Sequence, residues 1–185
     1  MIRLDDMMYA YVSEDKKFLI NEILKIGLSK PFYRVALSTT LEAWSLSMII
    51  RDRGVPIKSK GLYVIYADND NGKRDCLYVG ESDWCVNQRI RRFFKELAHC
   101  SHPDEEHAGA RRAMLGGYTC DSHSYYVKHI SWHEIYEIEK KFNINPGWYD
   151  LDEYIAHHLK SKYNTSTYPM YGYVGNTLKE FMENA

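Results

Sequence analysis

The chain has 185 residues, 45% of them hydrophobic and 26% charged, the makeup of a globular domain large enough to bury a core. Its formal net charge of −1 excludes capture of nucleic acid by a broadly basic surface, so any such contact must be local. No apolar run approaches the roughly 18 residues that span a bilayer. The start, Met1-Ile2-Arg3-Leu4-Asp5-Asp6, lacks the basic and then apolar regions of a signal peptide. Four cysteines (Cys76, Cys85, Cys100 and Cys120) in that setting read as reduced thiols. The expected location is the cytoplasm, with no membrane partner.

Residues 1–60 read as a helical N-terminal extension packed on the core. Glu14 to Ile26 places Leu19, Ile20, Ile23 and Leu24 at helical spacing, and a second apolar stretch, Leu41 to Ile50, follows Thr39 and Thr40 as capping residues. Gly54, Pro56 and Lys58-Ser59-Lys60 then break the chain before a core domain over 61–185. The extension carries ten Lys/Arg against seven Asp/Glu, and the remainder fourteen against eighteen.

The core opens with two strand-like runs, Gly61-Leu62-Tyr63-Val64-Ile65-Tyr66-Ala67 and Cys76-Leu77-Tyr78-Val79-Gly80, both rich in β-branched and aromatic residues. Between them the polar stretch Asp68 to Asp75 contains the Asn71-Gly72 hairpin signal. A loop centred between Asp70 and Asn71 sets Tyr63 opposite Tyr78. A two-residue Asn71-Gly72 turn sets Tyr63 opposite Gly80, with Tyr78 as its diagonal neighbour. Either register puts both hydroxyls on one face; only a one-residue slip or a bulge separates them. Two ordinary sheet tyrosines are the alternative reading of the hairpin by itself.

Next, Ser82 or Asp83 can cap a helix to about Ala98, with Val86, Ile90, Phe93, Phe94 and Leu97 as its apolar stripe. At about 100° per residue, Arg89 lies roughly 60° from the middle of that stripe, while Arg91, Arg92 and Lys95 point outward. Pro103 to Leu115, ended by Gly116-Gly117, reads as a further helix displaying Arg111 and Arg112. Ser124 to Trp132 reads as a third strand, and Asp150 begins a last helix to about Tyr163. The order β-β-α-α-β-α predicts an α/β (α+β) fold in which helices flank a small central antiparallel three-stranded sheet. Cys100, His102, His107, Cys120 and His123 are of ligand types suited to zinc, but their spacing is irregular and favours unliganded loops. Tyr173-Val174-Gly175, a second Tyr-Val-Gly, reads as a loop or closing strand.

These residues together resemble the GIY-YIG nuclease superfamily, in its compact restriction or phage endonuclease form. Gly61-Leu62-Tyr63 looks like the first signature and Tyr78-Val79-Gly80 the second, followed by Glu81-Ser82. Arg89 stands at about the distance of the family's catalytic arginine, and Glu153 through Tyr163-Asn164 is similar to the acidic helix ending in Tyr-Asn. The resemblance implies a Mg²⁺-dependent endonuclease (Mn²⁺ serving in place of Mg²⁺) that hydrolyses double-stranded DNA, with a homodimer where both strands are cut. It assigns catalytic roles to Tyr63, Tyr78, Arg89, Glu153 and Asn164, with Glu153 holding the metal. The family's usual histidine position is Phe93 here, which favours Tyr63 as the base. A phenol with a free pKa near 10 would need neighbouring cations for that task. Lys58, Lys60, Arg92, Arg111 and Arg112 are the candidates for DNA contact. Two further readings stay open: a nucleic-acid-binding module, zinc-stapled or not, that does not cleave, and a DNA repair nicking enzyme. Asp150 and Glu153 also fit a capping box, Asn164 fits a helix-ending residue, and His157 lies one turn beyond Glu153.

Overall fold

A computed structural model describes residues 12–30, 32–39, 46–51, 59–98, 107–119, 122–146 and 150–164. The elements are α1 (Glu14–Ser29), β1 (Tyr33–Thr39), β2 (Leu46–Arg51), β3 (Gly61–Asp68), β4 (Arg74–Ser82), α2 (Val86–Leu97), α3 (Ala108–Leu115), β5 (Tyr125–Ser131), α4 (Trp132–Phe142) and α5 (Leu151–His158). The five strands form one antiparallel sheet in the order β2-β1-β5-β3-β4. The three expected strands lie side by side as β5-β3-β4, and helices cover them as predicted.

The extension is only partly helical. Its first helix forms with Ser13 as N-cap, accepting from the Lys16 amide. The stretch expected to make a second helix instead supplies β2, which pairs with β1, and β1 in turn pairs with β5.

 The run Leu46-Ser47-Met48-Ile49-Ile50 is uncharged and ends in two β-branched residues, so strand pairing outweighs its apolar helical spacing. Leu41 to Trp44, the start of that expected helix, lies outside the described residues, as do Lys58, Cys100, His102, Cys120 and the second Tyr-Val-Gly at Tyr173.

The other departure is α4, which follows β5 without a loop. Ser131 ends the strand and starts the helix in one step: its side chain accepts from the Glu134 amide while the Glu134 carboxylate accepts from the Ser131 amide. Helix α5 begins at Asp150, which caps without a side-chain hydrogen bond, so the Asp150/Glu153 pair is not a capping box.

The sheet is a middle layer with a core on each face. On one side Tyr63, Ile65, Ala67, Leu77, Tyr125 and Val127 pack under α2 and α3, and all five predicted stripe residues of α2 are buried there. On the other side Leu62, Tyr66, Cys76, Val79 and Ile130 pack against α1, α4 and α5. Along β3 and β5 the faces alternate with the strict period of two. Along β4 they do not, because Leu77 and Tyr78, although consecutive, both join the α2/α3 core.

That irregularity is a bulge. The hairpin loop has three residues, Asp70-Asn71-Gly72, closed by Asn69 and Lys73, with Gly72 at φ 69° in the left-handed region. This loop pairs Asp68 with Arg74 and Tyr66 with Cys76. Continued unbroken, that register would set Tyr63 against Val79 and Tyr78 on the opposite face. The bulge skips Leu77, after which Ile65 pairs with Tyr78 and Tyr63 with Gly80. The loop's slip and the bulge cancel, and the two tyrosines share a face.

Gly80 is the residue this register demands opposite Tyr63, since a Cβ there would stand 2.7 Å from the Tyr63 hydroxyl and 2.7 Å from the Tyr78 ring. Gly80→Ala is therefore expected to lower unfolding free energy by about 1–3 kcal/mol, the cost of overpacking, read as a lower urea midpoint. A midpoint unchanged from the parent would contradict the packing described.

Candidate functional site

Tyr63, on the central strand of the expected trio, is fully buried, and its ring lies 6.1 Å from that of Tyr78. Tyr78 in turn packs against Phe93 of α2 at 5.7 Å and against His107, the N-cap of α3, at 4.8 Å. Gly109 lets the first turn of α3 come this close, for a Cβ on it would meet the Tyr78 ring at 2.5 Å. Four rings thus form one cluster centred on Tyr78 in the middle of β4, with the Tyr63 phenol at one side and the His107 imidazole at the other.

Arg89 sits in the first turn of α2 with an exposed side chain, at the rim of the buried stripe as the helical phase predicts. Its charge acts on every titratable group here: Tyr63, Tyr78, Glu81, His107 and Asp152. The guanidinium faces the Tyr63 hydroxyl without closing a hydrogen bond of ordinary geometry, so that hydroxyl is buried with no partner.

Asp152, beside Glu153 on α5, is an acidic group whose charge acts on the tyrosines. Leu151, Ile155 and Ala156 form the buried face of α5, and Asp152 flanks that face while Glu153 lies about 100° further round. Accordingly Asp152 acts electrostatically on both tyrosines, whereas Glu153 acts on Lys16 of α1 and on Tyr154. Glu81 joins Asp152: burial first, and then Asp152, push its carboxyl up to about 7. Burial, with Asp150 adding to it, pushes the Asp152 carboxyl up to about 6. Among the described residues no group of three His, Cys, Asp or Glu side chains is arranged to hold a metal. Hard carboxylates such as these are the ligand type a divalent cation completed by phosphate oxygens and water would take.

The tyrosines are poor bases in this setting. Burial raises the Tyr63 phenol well above its ordinary range, Tyr78 raises it further, and Arg89 only partly opposes this. Burial also raises Tyr78. Both shifts favour the neutral phenol, the opposite of the lowering by neighbouring cations that the expected base role of Tyr63 requires.

Asn164 holds the scaffold rather than facing the rings. Its amide pairs with both backbone groups of Val79, accepting from the amide at 2.8 Å and donating to the carbonyl at 2.7 Å. The Lys162 amide donates to the Cys76 carbonyl, and the Tyr163 amide and Ser161 hydroxyl to that of Leu77. The segment after α5 thus pairs with the free edge of β4 across the bulge. Arg112 serves the same segment, donating to the Tyr163 carbonyl from Nε and Nη2 at 3.3 and 3.1 Å.

Of the other expected DNA-contacting residues, Arg111 and Lys60 are exposed and Arg92 is half-buried, its charge reaching His107. His157 is exposed. From the expected zinc set, His107 caps α3 and His123 stacks on Tyr118 at 4.5 Å.

Family models, curated proteins and solved structures were all compared, and none matches this chain.

Two outcomes test this geometry. Asn164→Ala leaves the Val79 amide and carbonyl unpaired at a buried edge and should cost about 2–4 kcal/mol by chemical denaturation; a loss near zero would contradict the clamp. Glu81 and Asp152 have folded-state pKa values above their ordinary 4.5 and 3.8, so the folded chain binds more protons than the unfolded chain between those limits. Their penalty is absent at pH 3, grows as pH rises, and is complete above about pH 7. Glu81→Gln and Asp152→Asn should therefore melt above the parent at pH 8 and level with it near pH 3–4. Equal melting temperatures at pH 8 would contradict this.

Proposed function

We propose that the chain is a divalent-cation-dependent endonuclease hydrolysing phosphodiester bonds of double-stranded DNA, of the compact GIY-YIG kind that its sequence resembles. The observation that supports this reading is that one exposed arginine, Arg89, acts electrostatically on Tyr63, Tyr78, Glu81 and Asp152 together. Phosphodiester hydrolysis needs charge neutralised on a five-coordinate phosphorus, an oriented water and donors for the developing oxyanion.

The side chains supply these in complementary ways. Arg89 offers a planar fork of donors to the non-bridging oxygens and is exposed enough to meet them. The Tyr63 hydroxyl, buried without a partner, gains one when a phosphate oxygen arrives. Tyr78 orients water or phosphate beside it. Glu81 and Asp152 would hold the cation, Mg²⁺ or Mn²⁺, whose chemistry is to neutralise phosphate charge and to acidify water. Asn164 keeps β4 in the register that brings Tyr78 to Tyr63.

Incubating plasmid DNA with the protein and Mg²⁺ tests the reading. The expected result is cleavage that Asp152→Asn reduces on the order of 10²–10³-fold, the usual cost of removing one charge-stabilising group, while Glu153→Gln stays within a few-fold of the parent. Loss in the Glu153 variant with an active Asp152 variant would return the metal to Glu153. Retarded DNA that is never cut, in Mg²⁺ or Mn²⁺, would replace the nuclease with a binding module.

A further inference from the structure

His107 has no part in the reading above, yet its surroundings are unusual. It is only 6% exposed. Its Nδ1 accepts from the Ala110 amide at 3.3 Å, which fixes the neutral ring with its proton on Nε2. That Nε2 is buried and has no hydrogen-bond partner. The ring is locked edge-on against Tyr78 at 4.8 Å and Phe93 at 5.2 Å, so it cannot readily turn to find one.

A buried donor without an acceptor is costly and uncommon. The charges acting on this one are Arg89, Arg112 and Arg92, a positive field that favours an anionic acceptor and disfavours a second proton on the imidazole. Burial and those arginines hold the ring's pKa down to about 4, so it remains a neutral donor at working pH. Tyr63 presents the cluster's other orphaned polar atom, and Arg89 acts on both.

We propose that His107 is a phosphate-binding residue whose Nε2–H donates to a non-bridging oxygen of the DNA phosphodiester held by Arg89. The identity of that anion rests on the nuclease reading; the donor itself rests on the geometry of the ring. With Nδ1 engaged and Nε2 protonated, His107 acts neither as a base nor as a metal ligand.

Two substitutions separate the cap from the donor. His107→Asn keeps an acceptor for the Ala110 amide, asparagine being a favoured N-cap, but removes the Nε2–H. His107→Gln can return an N–H near the Nε2 position. The Asn variant should melt within a few degrees of the parent. Its affinity for a short DNA duplex in EDTA should fall about ten- to a hundredfold, the loss of one hydrogen bond to a charged group, with partial recovery in the Gln variant. In ¹⁵N-edited NMR of the parent, the Nε2–H resonance should move on addition of the duplex and of inorganic phosphate.

Parental affinity in the Asn variant, or a resonance that neither probe moves, overturns the inference, and intact Mg²⁺-dependent cleavage in the parent would then leave the nuclease reading standing. A resonance moved by phosphate in a protein that cuts no DNA supports the anion site and removes the nuclease reading.

Discussion

The bulge at Leu77 is the constraint on which the site depends. A three-residue loop sets one register near the hairpin, and the tyrosines need the other. One unpaired residue reconciles them, placing Leu77 and Tyr78 together on the α2/α3 face. The bulge lies on an edge strand, where its carbonyls would be left to solvent, and the Ser161 to Asn164 segment covers them. Bulges re-aim side chains in this way near functional sites. Here the re-aimed side chain is Tyr78, and Gly80 makes room for the result.

Around that geometry the chain accepts electrostatic and hydrogen-bonding costs that a purely structural core would avoid. Two carboxylates sit where burial opposes their ionisation, and a phenol and an imidazole are buried without partners. On the proposed reading, an anion beside Arg89 and a cation beside Glu81 and Asp152 would relieve these costs. Sites that bind charged ligands concentrate such unfavourable groups, because the ligand relieves them. Among the described residues no helix is long and apolar enough to cross a membrane, and Arg89, at the rim of the ring cluster, is exposed.

Much of this was legible in the chain. The stripe of α2 and the edge position of Arg89 follow from helical period, and β3, β4 and β5 follow from composition and turn signals. The strand at Leu46–Arg51 did not, because apolar residues at helical spacing also suit a strand once a neighbouring edge is open. Helix α4 carried its signal, Ser131 followed three residues on by Glu134, hidden by the apolar strand that runs directly into it. The placement of Asp152 beside the buried face of α5 was readable from helical phase, although the resemblance singled out only its neighbour Glu153. The unpaired state of His107 was not readable, since it depends on which rings the fold brings against one nitrogen.

The most direct test of the central claim is the set of nuclear Overhauser contacts from the Tyr78 ring. The bulged register predicts contacts to Tyr63, Phe93 and His107, with Gly80 directly across from Tyr63 on the neighbouring strand. Contacts from Tyr78 to Ile155 and Leu62 on the other face, with Val79 across from Tyr63, would contradict it and dissolve the site.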